Sequence, residues 1–319
     1  MLTYKDIEDS YNRISKYIYK TPLEKSFHLS NDQTNFYLKL ESLQRVKSFK
    51  IRGAFSKMTL LTEEEKAKGV VAISSGNHGV AVSYAATQLG IEKVVIIAPK
   101  NTPYSKVEKI RFYGGQVILK GNNYDEAHHF GEQYIKDNQM TEIDAYYKDP
   151  AVYAGQGTAG LEILKEQPNI DTILVPIGGG GLITGVAVAA KAINPDIKII
   201  GIQPEACPAM FMAMKNQVFY KDYPTEPSNC DALVGGIGEL AYELSGTCID
   251  EVVLVSEDFI MKGLAHVILQ EKFIVEPSSA ICVGAILQHT SKKWGKNVAM
   301  IMSGGNLDAE LAIKAVTLK

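Results

Sequence analysis

Residues 172–182 read Thr-Ile-Leu-Val-Pro-Ile-Gly-Gly-Gly-Gly-Leu, an apolar run that ends in four consecutive glycines. A continuously apolar run of this length is typical of a strand buried on both faces of a parallel sheet. Glycines directly after such a strand let backbone N–H groups approach an anion, and a following helix adds its positive N-terminal end. The stretch therefore predicts an α/β fold that binds one compact phosphate at the carboxyl end of a strand.

The alternation of strand and helix recurs along the chain from about residue 70. We predict buried strands at 70–73, 94–98, 116–120, 172–177, 198–203, 251–256 and 298–302. Helical patterns lie between them, at 79–89, 104–112, 182–192 and 257–270. This order predicts an α/β protein with parallel sheets and right-handed crossover connections.

Two further loops carry glycine directly after a predicted strand. They read Ser74-Ser75-Gly76-Asn77-His78-Gly79 and Ser303-Gly304-Gly305-Asn306. Neither these loops nor the four glycines match the glycine patterns of dinucleotide-binding or P-loop proteins. Three such loops in one chain predict a single anionic ligand that is held from several sides.

The composition indicates a soluble globular protein that is long enough for two lobes. The chain has 319 residues, of which 46% are hydrophobic and 22% charged. Its net charge of −3 gives no reason to expect a nucleic acid or an anionic membrane as a partner. The first fourteen residues form a charged amphipathic pattern, so we expect no signal or transit peptide and a cytoplasmic protein. The four cysteines lack C-x-x-C spacing and are expected to be free thiols: Cys207, Cys230, Cys248 and Cys282.

Residues 41–54 carry the remaining chemical signal and read Glu-Ser-Leu-Gln-Arg-Val-Lys-Ser-Phe-Lys-Ile-Arg-Gly-Ala. By pattern alone this is a loop that enters a helix, and its basic side chains are most simply solvated surface charge. Residues 48–54, however, resemble the cofactor-lysine motif of the serine/threonine dehydratase family of pyridoxal-phosphate enzymes. The family's other landmarks follow in order and cover nearly the whole chain: residues 74–79, 154–158 and 178–181, Glu276-Pro277, and residues 303–306.

This resemblance implies the architecture shared with the tryptophan synthase β-subunit, known as fold type II. Two lobes with twisted, parallel-rich sheets flanked by helices are expected, the larger from residues 1–61 and 149–319. The smaller lobe, residues 62–148, would be inserted into it and close over the active site. Only a short stretch follows Asn306, so no C-terminal regulatory domain is expected. The resemblance also implies a homodimer.

The resemblance assigns a cofactor, pyridoxal 5'-phosphate, and the residues that bind it. Lys50 would form a Schiff base with the cofactor and later remove the Cα proton of the substrate. Phe49 would pack on the ring, Asn77 would bind the ring hydroxyl, and Ser303 would meet the ring nitrogen. Glu276 would lie near the ring. The backbone N–H groups of the glycine loop would hold the phosphate: Gly178, Gly179, Gly180, Gly181 and Leu182.

The implied substrate is a small amino acid with a β-hydroxyl group, such as L-threonine or L-serine. Water would be eliminated, and a 2-oxo acid and ammonia would result. The substrate carboxylate would be bound by Ser74, Ser75, Asn77 and His78. Ser75 would also serve as an acid or base on the face opposite Lys50, a residue that dehydratases and serine racemases of the family share.

Three departures from the family's pattern leave the substrate and the cation requirement open. Tyr147 and Gly236 replace family residues that map near the substrate side chain, which leaves threonine itself in question. Serine racemisation, or dehydration of a hydroxyaspartate or a hydroxyectoine-derived amino acid, are the alternatives. Cation-binding members carry two carboxylates where this chain has Gln203 and Ala209, so no metal is expected, although Glu205 leaves a weaker site open.

Overall fold

The computed structural model describes residues 1–318, which form ten strands and thirteen α-helices. The strands are β1 (Leu23–Lys25), β2 (Asn35–Lys39), β3 (Val70–Ile73), β4 (Val94–Ala98), β5 (Gln116–Leu119), β6 (Thr141–Glu142), β7 (Thr172–Pro176), β8 (Lys198–Pro204), β9 (Glu251–Val255) and β10 (Asn297–Ile301). The helices are α1 (Tyr4–Ile14), α2 (Lys50–Met58), α3 (Glu63–Lys68), α4 (Asn77–Gln88), α5 (Tyr104–Phe112), α6 (Tyr124–Asn138), α7 (Pro150–Glu166), α8 (Gly181–Ile193), α9 (Ala209–Asn216), α10 (Glu239–Cys248), α11 (Glu257–His266), α12 (Pro277–Gln288) and α13 (Ala309–Val316).

The strands form two sheets. A six-stranded sheet has the order β1-β2-β10-β7-β8-β9, and a four-stranded sheet has the order β5-β4-β3-β6. All neighbouring strands are parallel except β1, which is antiparallel to β2. The predicted α/β fold with parallel sheets is therefore confirmed.

All seven predicted strands are present, with ends shifted by no more than one residue. The predicted helix at 257–270 is divided, because α11 ends at His266 and a π-helical turn, Val267–Glu271, continues it. Strands β1, β2 and β6 were not predicted. β1 and β6 are only three and two residues long, and β2 begins with Asn35 and ends with Lys39, so its hydropathy resembles that of a loop.

Local sequence signals explain where several helices begin. Thr3 and Asp6 form a reciprocal capping box at the start of α1, and Ile7 and Ile14 of that helix are buried on one side. The predicted N-terminal amphipathic helix is thus confirmed. Helix α7, which was not predicted, begins with Asp149 as its N-cap and Pro150 in its first turn.

Helix α2 lies where the helices of the two sheets meet. Its side chains Ile51 and Phe55 share a hydrophobic core with Val80 of α4. Its other side approaches α7 so closely that a Cβ atom on Gly155 would lie 2.4 Å from the carbonyl oxygen of Arg52. Only glycine permits this approach, so the first residue of α2, Lys50, is held between the two sheets.

Residues 70–142 supply every strand of the four-stranded sheet, and the six-stranded sheet is built from strands before and after them. The lobe boundaries at residues 61/62 and 148/149 stay a prediction. Within residues 1–318, no helix combines the length and the apolar character needed to cross a membrane.

Candidate active site

The three predicted loops and the lysine segment line one cavity of about 1190 Å³. The loops follow β3, β7 and β10 at their carboxyl ends, where ligands bind in open α/β sheets. The lysine segment is pinned to the last of these loops by two backbone hydrogen bonds. Phe49 N–H donates to Ser303 O at 3.0 Å, and Gly305 N–H donates to Lys47 O at 2.8 Å.

Lys50 presents its amine to this cavity. The amine donates a hydrogen bond to the carbonyl oxygen of Ala145 at 3.2 Å and lies 5.2 Å from the centre of the Phe49 ring. Burial lowers the pKa of the Lys50 amine to about 8, although the charges of Asp144 and Glu276 oppose this shift. A substantial fraction of the amine is thus neutral near physiological pH, as a nucleophile or base must be.

The glycine loop, residues 178–182, leads directly from β7 into α8. Gly180 has a φ of +91°, a left-handed conformation that favours glycine. The first hydrogen bond of the helix runs from Thr184 N–H to Gly180 O at 3.1 Å. The N–H groups of Gly181 and Leu182 therefore precede the helical ladder, as in helix N-termini that bind phosphate.

Asn77, Glu276, Asn306 and Lys109 form a chain of hydrogen bonds along one wall. Asn77 Nδ2 donates to both carboxylate oxygens of Glu276, at 2.9 and 3.1 Å, and Asn77 Oδ1 accepts from Asn306 Nδ2. Asn306 Oδ1 in turn accepts from Lys109 Nζ. Burial raises the pKa of the Glu276 carboxyl to about 7, against the lowering effect of the Asn77 hydrogen bond. The chain fixes the orientation of the Asn77 amide, since a cation ends it on one side and a carboxyl on the other.

Ser303 is almost completely buried beside the lysine segment. Its hydroxyl lies 3.0 Å from the hydroxyl of Ser279, which donates to Gly304 O at 2.7 Å. Because the Ser279 proton is used in this way, Ser303 is the donor between the two hydroxyls or is free to donate into the cavity.

The loop at residues 74–79 begins α4 at Asn77. His78 Nε2–H donates to Ile143 O at 2.7 Å, and burial, followed by the nearby Lys50 charge, lowers the pKa of His78 to about 4. The ring is therefore neutral, and its Nδ1 is an acceptor without a partner among residues 1–318. Such a ring cannot donate to a carboxylate, so a role for His78 in substrate binding falls to its backbone N–H at the helix start.

Nearly all predicted site residues line this cavity, including Ser74, Ser75 and Gly236. Tyr147 is the exception: its ring packs against Phe219 at 6.4 Å, and the neighbouring Tyr146 stands on the cavity wall instead. Gly236 has a packing role of its own, because a Cβ atom there would lie 1.6 Å from Lys221 O. Tyr147 therefore does not line the cavity, and its predicted place near the substrate side chain stays a prediction.

Sequence reasoning missed Asp144, Tyr146, Asn306 as a side-chain partner, and Lys109. Tyr146 adjoins Tyr147, one of the departures from the family's pattern, and Asp144 precedes them, so the resemblance gave no role for either. Lys109 lies on α5 and carries no motif. Its contact with Asn306 spans 197 residues of sequence, and only the tertiary structure reveals it.

At the position of the family's cation site, the buried side chain of Gln203 accepts a hydrogen bond from Phe211 N–H at 3.0 Å. Ala209 is the first residue of α9, and Glu205 is exposed. No group of three or more metal-ligating side chains occurs within the described residues.

The residues of the cavity fit pyridoxal phosphate. An amine with a lowered pKa and an N-terminal helix loop for a phosphate line the same space, which Asn77, Glu276 and Ser303 also border. Gln156 lines this space too, and its amide has no hydrogen-bond partner among residues 1–318. Unpartnered buried amides are rare, and a polar ligand in the cavity supplies partners. The fold and the site together are those of an enzyme that uses pyridoxal phosphate as its cofactor.

Comparison with known proteins gives the same result. Residues 14–304 match the family model described as "Pyridoxal-phosphate dependent enzyme", and the chain belongs to this family. A catabolic L-threonine dehydratase of Staphylococcus aureus (strain N315) is 42% identical over 310 residues, which cover 95% of this chain and 88% of that protein. L-Threonine ammonia-lyase of Thermotoga maritima is 39% identical over 313 residues, which cover 98% and 77%. The structure of maize serine racemase has a TM-score of 0.91 and 33% identity, and the match covers 98% of this chain and 96% of that one. The predicted family, fold type and cofactor are confirmed.

Proposed function

We propose that this chain is an ammonia-lyase that eliminates water from L-threonine and L-serine. The names of the relatives agree with this proposal. The observation that carries it is the Lys50 amine, which has a pKa near 8 and faces the same cavity as the glycine loop. Loss of water from threonine leaves an enamine, which takes up water in solution and gives 2-oxobutanoate and ammonium. Serine gives pyruvate by the same route.

Pyridoxal phosphate, when bound, supplies an aldehyde that joins covalently to amines and a ring that accepts the electron pair released at Cα. The residues that would hold it are Phe49 against the ring, Ser303 at the ring nitrogen, Asn77 at the ring hydroxyl, Glu276 near the ring and the N–H groups of residues 178–182. A serine at the ring nitrogen carries no charge, so it stabilises a protonated nitrogen far less than a carboxylate does. This favours elimination, in which the leaving hydroxyl takes up the electrons directly.

The chain's own groups bind the substrate and move its proton. The N–H groups at the start of α4, together with Ser74 and Ser75, bind the substrate carboxylate with the help of the helix dipole. Lys50 removes the Cα proton, because its amine is neutral for a substantial fraction of the time at pH 7 to 8. Closure of the smaller lobe over the substrate would exclude water from these groups and strengthen each polar contact.

Racemisation of serine is the second candidate. Ser75 lines the cavity on the loop after β3, and a hydroxyl opposite Lys50 is able to return a proton to the other face of Cα. We expect this to be a minor path, since departure of the β-hydroxyl competes with it.

The test is to incubate the purified enzyme, loaded with cofactor, with L-threonine, L-serine and the 3-hydroxyaspartates. Release of 2-oxo acid and the chirality of the remaining amino acid are followed together. We expect 2-oxobutanoate and pyruvate with little D-serine. If none of these substrates yields a 2-oxo acid, the proposal is wrong, and accumulation of D-serine without pyruvate would make the enzyme a racemase.

The same proposal includes a cytoplasmic homodimer with lobes divided at residues 61/62 and 148/149. All four cysteines are buried free thiols, as expected in a reducing compartment. Sedimentation equilibrium of the purified protein measures the assembly, and a monomer at micromolar concentration would contradict this part of the proposal.

A further inference from the structure

The segment that contains Tyr147, one of the departures from the family's pattern, is folded around one carboxylate, that of Asp144. Asp144 Oδ1 accepts hydrogen bonds from the N–H groups of Tyr146 and Tyr147, at 3.0 and 2.9 Å. Asp144 Oδ2 accepts from Lys148 N–H at 2.9 Å. Burial acts to raise the pKa of Asp144, but these three N–H groups hold it below its usual value, so the carboxylate is ionised at neutral pH. Three bonds to one ion fix the turn at residues 145–147.

Each carbonyl of this turn accepts a hydrogen bond from a different helix. Ala145 O accepts from Lys50 Nζ at 3.2 Å, on α2. Tyr146 O accepts from the Tyr153 hydroxyl, on α7. Tyr147 O accepts from Leu240 N–H at 3.3 Å, on α10. The turn therefore joins the reactive lysine to two helices of the larger sheet.

The side chain of Tyr146 extends the same turn to the glycine loop. Its ring lies so close to Gly179 that a Cβ atom on that residue would come within 2.0 Å of it. The Lys50 amine lies 5.8 Å from the centre of the Tyr146 ring. One turn thus contacts both the reactive amine and the loop predicted to bind phosphate.

We propose that Asp144 is a positioning residue that sets the turn at residues 145–147 and, through Ala145 O, the direction of the Lys50 amine. The proposal rests on the proposed function, in which Lys50 removes the Cα proton. A neutral amine has two N–H bonds and one lone pair. When one N–H is held on Ala145 O, the lone pair has fewer directions available, and its alignment with the substrate proton is fixed before the reaction.

Because Asp144 is charged, removing its charge should shift the pKa of Lys50 in a direction that can be measured. The charged groups that face Lys50 are the carboxylates of Asp144 and Glu276, and the nearby His78 ring is neutral. Loss of the Asp144 charge with the turn intact lowers the pKa of Lys50, because one of two nearby anions is gone. Loosening of the turn admits water to Lys50 and raises its pKa instead. Loss of the charge with an intact turn and loosening of the turn thus shift the pKa in opposite directions.

The experiment compares Asp144→Asn with Asp149→Asn. The asparagine at 144 keeps the Oδ1 atom that accepts two of the three N–H groups. Asp149 is a matched control, since it also caps backbone, accepting from Ala151 N–H at 2.9 Å, but it pairs with Lys57 rather than facing Lys50. Labelling of Lys50 by an amine reagent is followed against pH in the cofactor-free, full-length protein by peptide mass spectrometry. We expect the midpoint of labelling to move to lower pH in Asp144→Asn and to stay unchanged in Asp149→Asn.

The second measurement is the turnover number, kcat, of the Asp144 variants. Because misalignment of the Lys50 amine acts on the chemical step, we expect kcat of the loaded Asp144→Asn enzyme to fall about 10- to 100-fold, with a smaller change in KM. Asp144→Glu keeps the charge and a carboxylate that can accept the same N–H groups, but its longer side chain shifts the turn without opening it to water. It should leave the labelling midpoint near that of the wild type while kcat falls, and it tests positioning even if the asparagine variant does not fold.

An unchanged midpoint in Asp144→Asn, or full kcat in Asp144→Glu, would overturn the proposal. Labelling of Lys50 involves no substrate, so the two proposals fail separately. An enzyme that eliminates nothing but shows the Asp144-dependent midpoint refutes the proposed function alone. An active lyase whose midpoint ignores Asp144 refutes this inference alone.

Discussion

Two cations at the start of α2 stand two residues apart and have opposite environments. The Lys50 amine has a backbone carbonyl as its hydrogen-bond acceptor, and burial lowers its pKa to about 8. The Arg52 guanidinium is completely buried, yet it is gripped by the carboxylates of Glu41 and Glu162 at 2.7 and 2.8 Å. Burial opposes the charge of Arg52 as well, but these two carboxylates raise its pKa further above its usual value. The difference lies in the partners and in the exposure, since Arg52 is completely buried and Lys50 is half-buried on the cavity wall.

The Arg52 partners belong to a neutral network of two cations and two carboxylates. Lys39, at the end of β2, donates to Glu162 at 2.6 Å, and Thr158 of α7 accepts from Arg52 at 2.9 Å. The network therefore connects α2 to α7 and, through Lys39, to β2. Arg52, a buried cation that is paired with carboxylates, holds the helix in place. Lys50, which has no carboxylate paired with it, is available for the reaction.

The largest effect on activity is expected when the reactive amine of Lys50 is removed. Lys50→Ala should abolish 2-oxo acid release, a loss of more than about a thousandfold, because no other base replaces the amine. Release is measured with L-threonine, and the visible absorbance of the lysine-bound cofactor should vanish as well. Lys57→Ala, on the same helix, is the control and should remain active. Turnover in Lys50→Ala within tenfold of wild type would refute the assignment.

Removing the anchoring cation should act on stability. Arg52→Met leaves two buried carboxylates without their main partner, and breaking a buried ion pair in this way costs about 3–5 kcal/mol. Arg52→Lys should also be destabilising, because an ammonium cannot bind two carboxylates bidentately. Urea unfolding of the cofactor-free protein measures both. The loss should far exceed that in Arg111→Met, an exposed cation on α5, and equal stability of these variants would contradict the role of the network.

Glu276 extends the comparison to the carboxylates. Burial raises its pKa from 4.5 to about 7, although the hydrogen bond from the Asn77 amide acts to lower it. The folded protein therefore binds this proton more tightly than the unfolded chain does. The stabilisation is full below about pH 4.5 and is lost as the pH rises through 7, a difference of about 3 kcal/mol at 1.36 kcal/mol per pKa unit. Glu276→Gln should therefore remove this part of the stability loss between pH 5 and pH 8. Unfolding of both cofactor-free proteins at the two pH values tests it, and identical pH dependence would contradict it.

The smallest effect is expected from metal removal. Gln203, which is neutral, caps α9 where cation-binding relatives carry a carboxylate, so divalent ions have no charged ligand there. Treatment with a chelator should change kcat/KM by less than about twofold, because bound Ca²⁺ or Mg²⁺ depends on several oxygen ligands. The control adds Mg²⁺ back after chelation. Activity that collapses and then returns with Mg²⁺ would show that another site, such as one near Glu205, binds the ion.

Much of the fold could be predicted because it depends on the pattern of apolar residues and glycines along short stretches of the sequence. The parallel strands are continuously apolar, and the glycines of residues 178–181 follow one of them directly, so both were predicted within one residue. Strand β2 was not, because its last residue, Lys39, is a charged side chain whose burial depends on Glu162, 123 residues away. The interpretation of the lysine segment's basic residues as solvated charge was wrong for Arg52 for the same reason.

The sequence by itself determined the family, the cofactor, the location of the apolar strands along the chain and the place of Lys50 in the lysine motif. Each of these depends on neighbouring residues or on motifs in a fixed order. Only the tertiary structure decided which charges are neutralised. Arg52 meets Glu162 across 110 residues of sequence, and Asp144 reaches Lys50 through a turn that no motif marks. Electrostatic energies depend on separation in space and on exclusion of water, and neither quantity is written in residue order. The pKa of Lys50, on which the proposed chemistry depends, is for that reason a property of the folded protein.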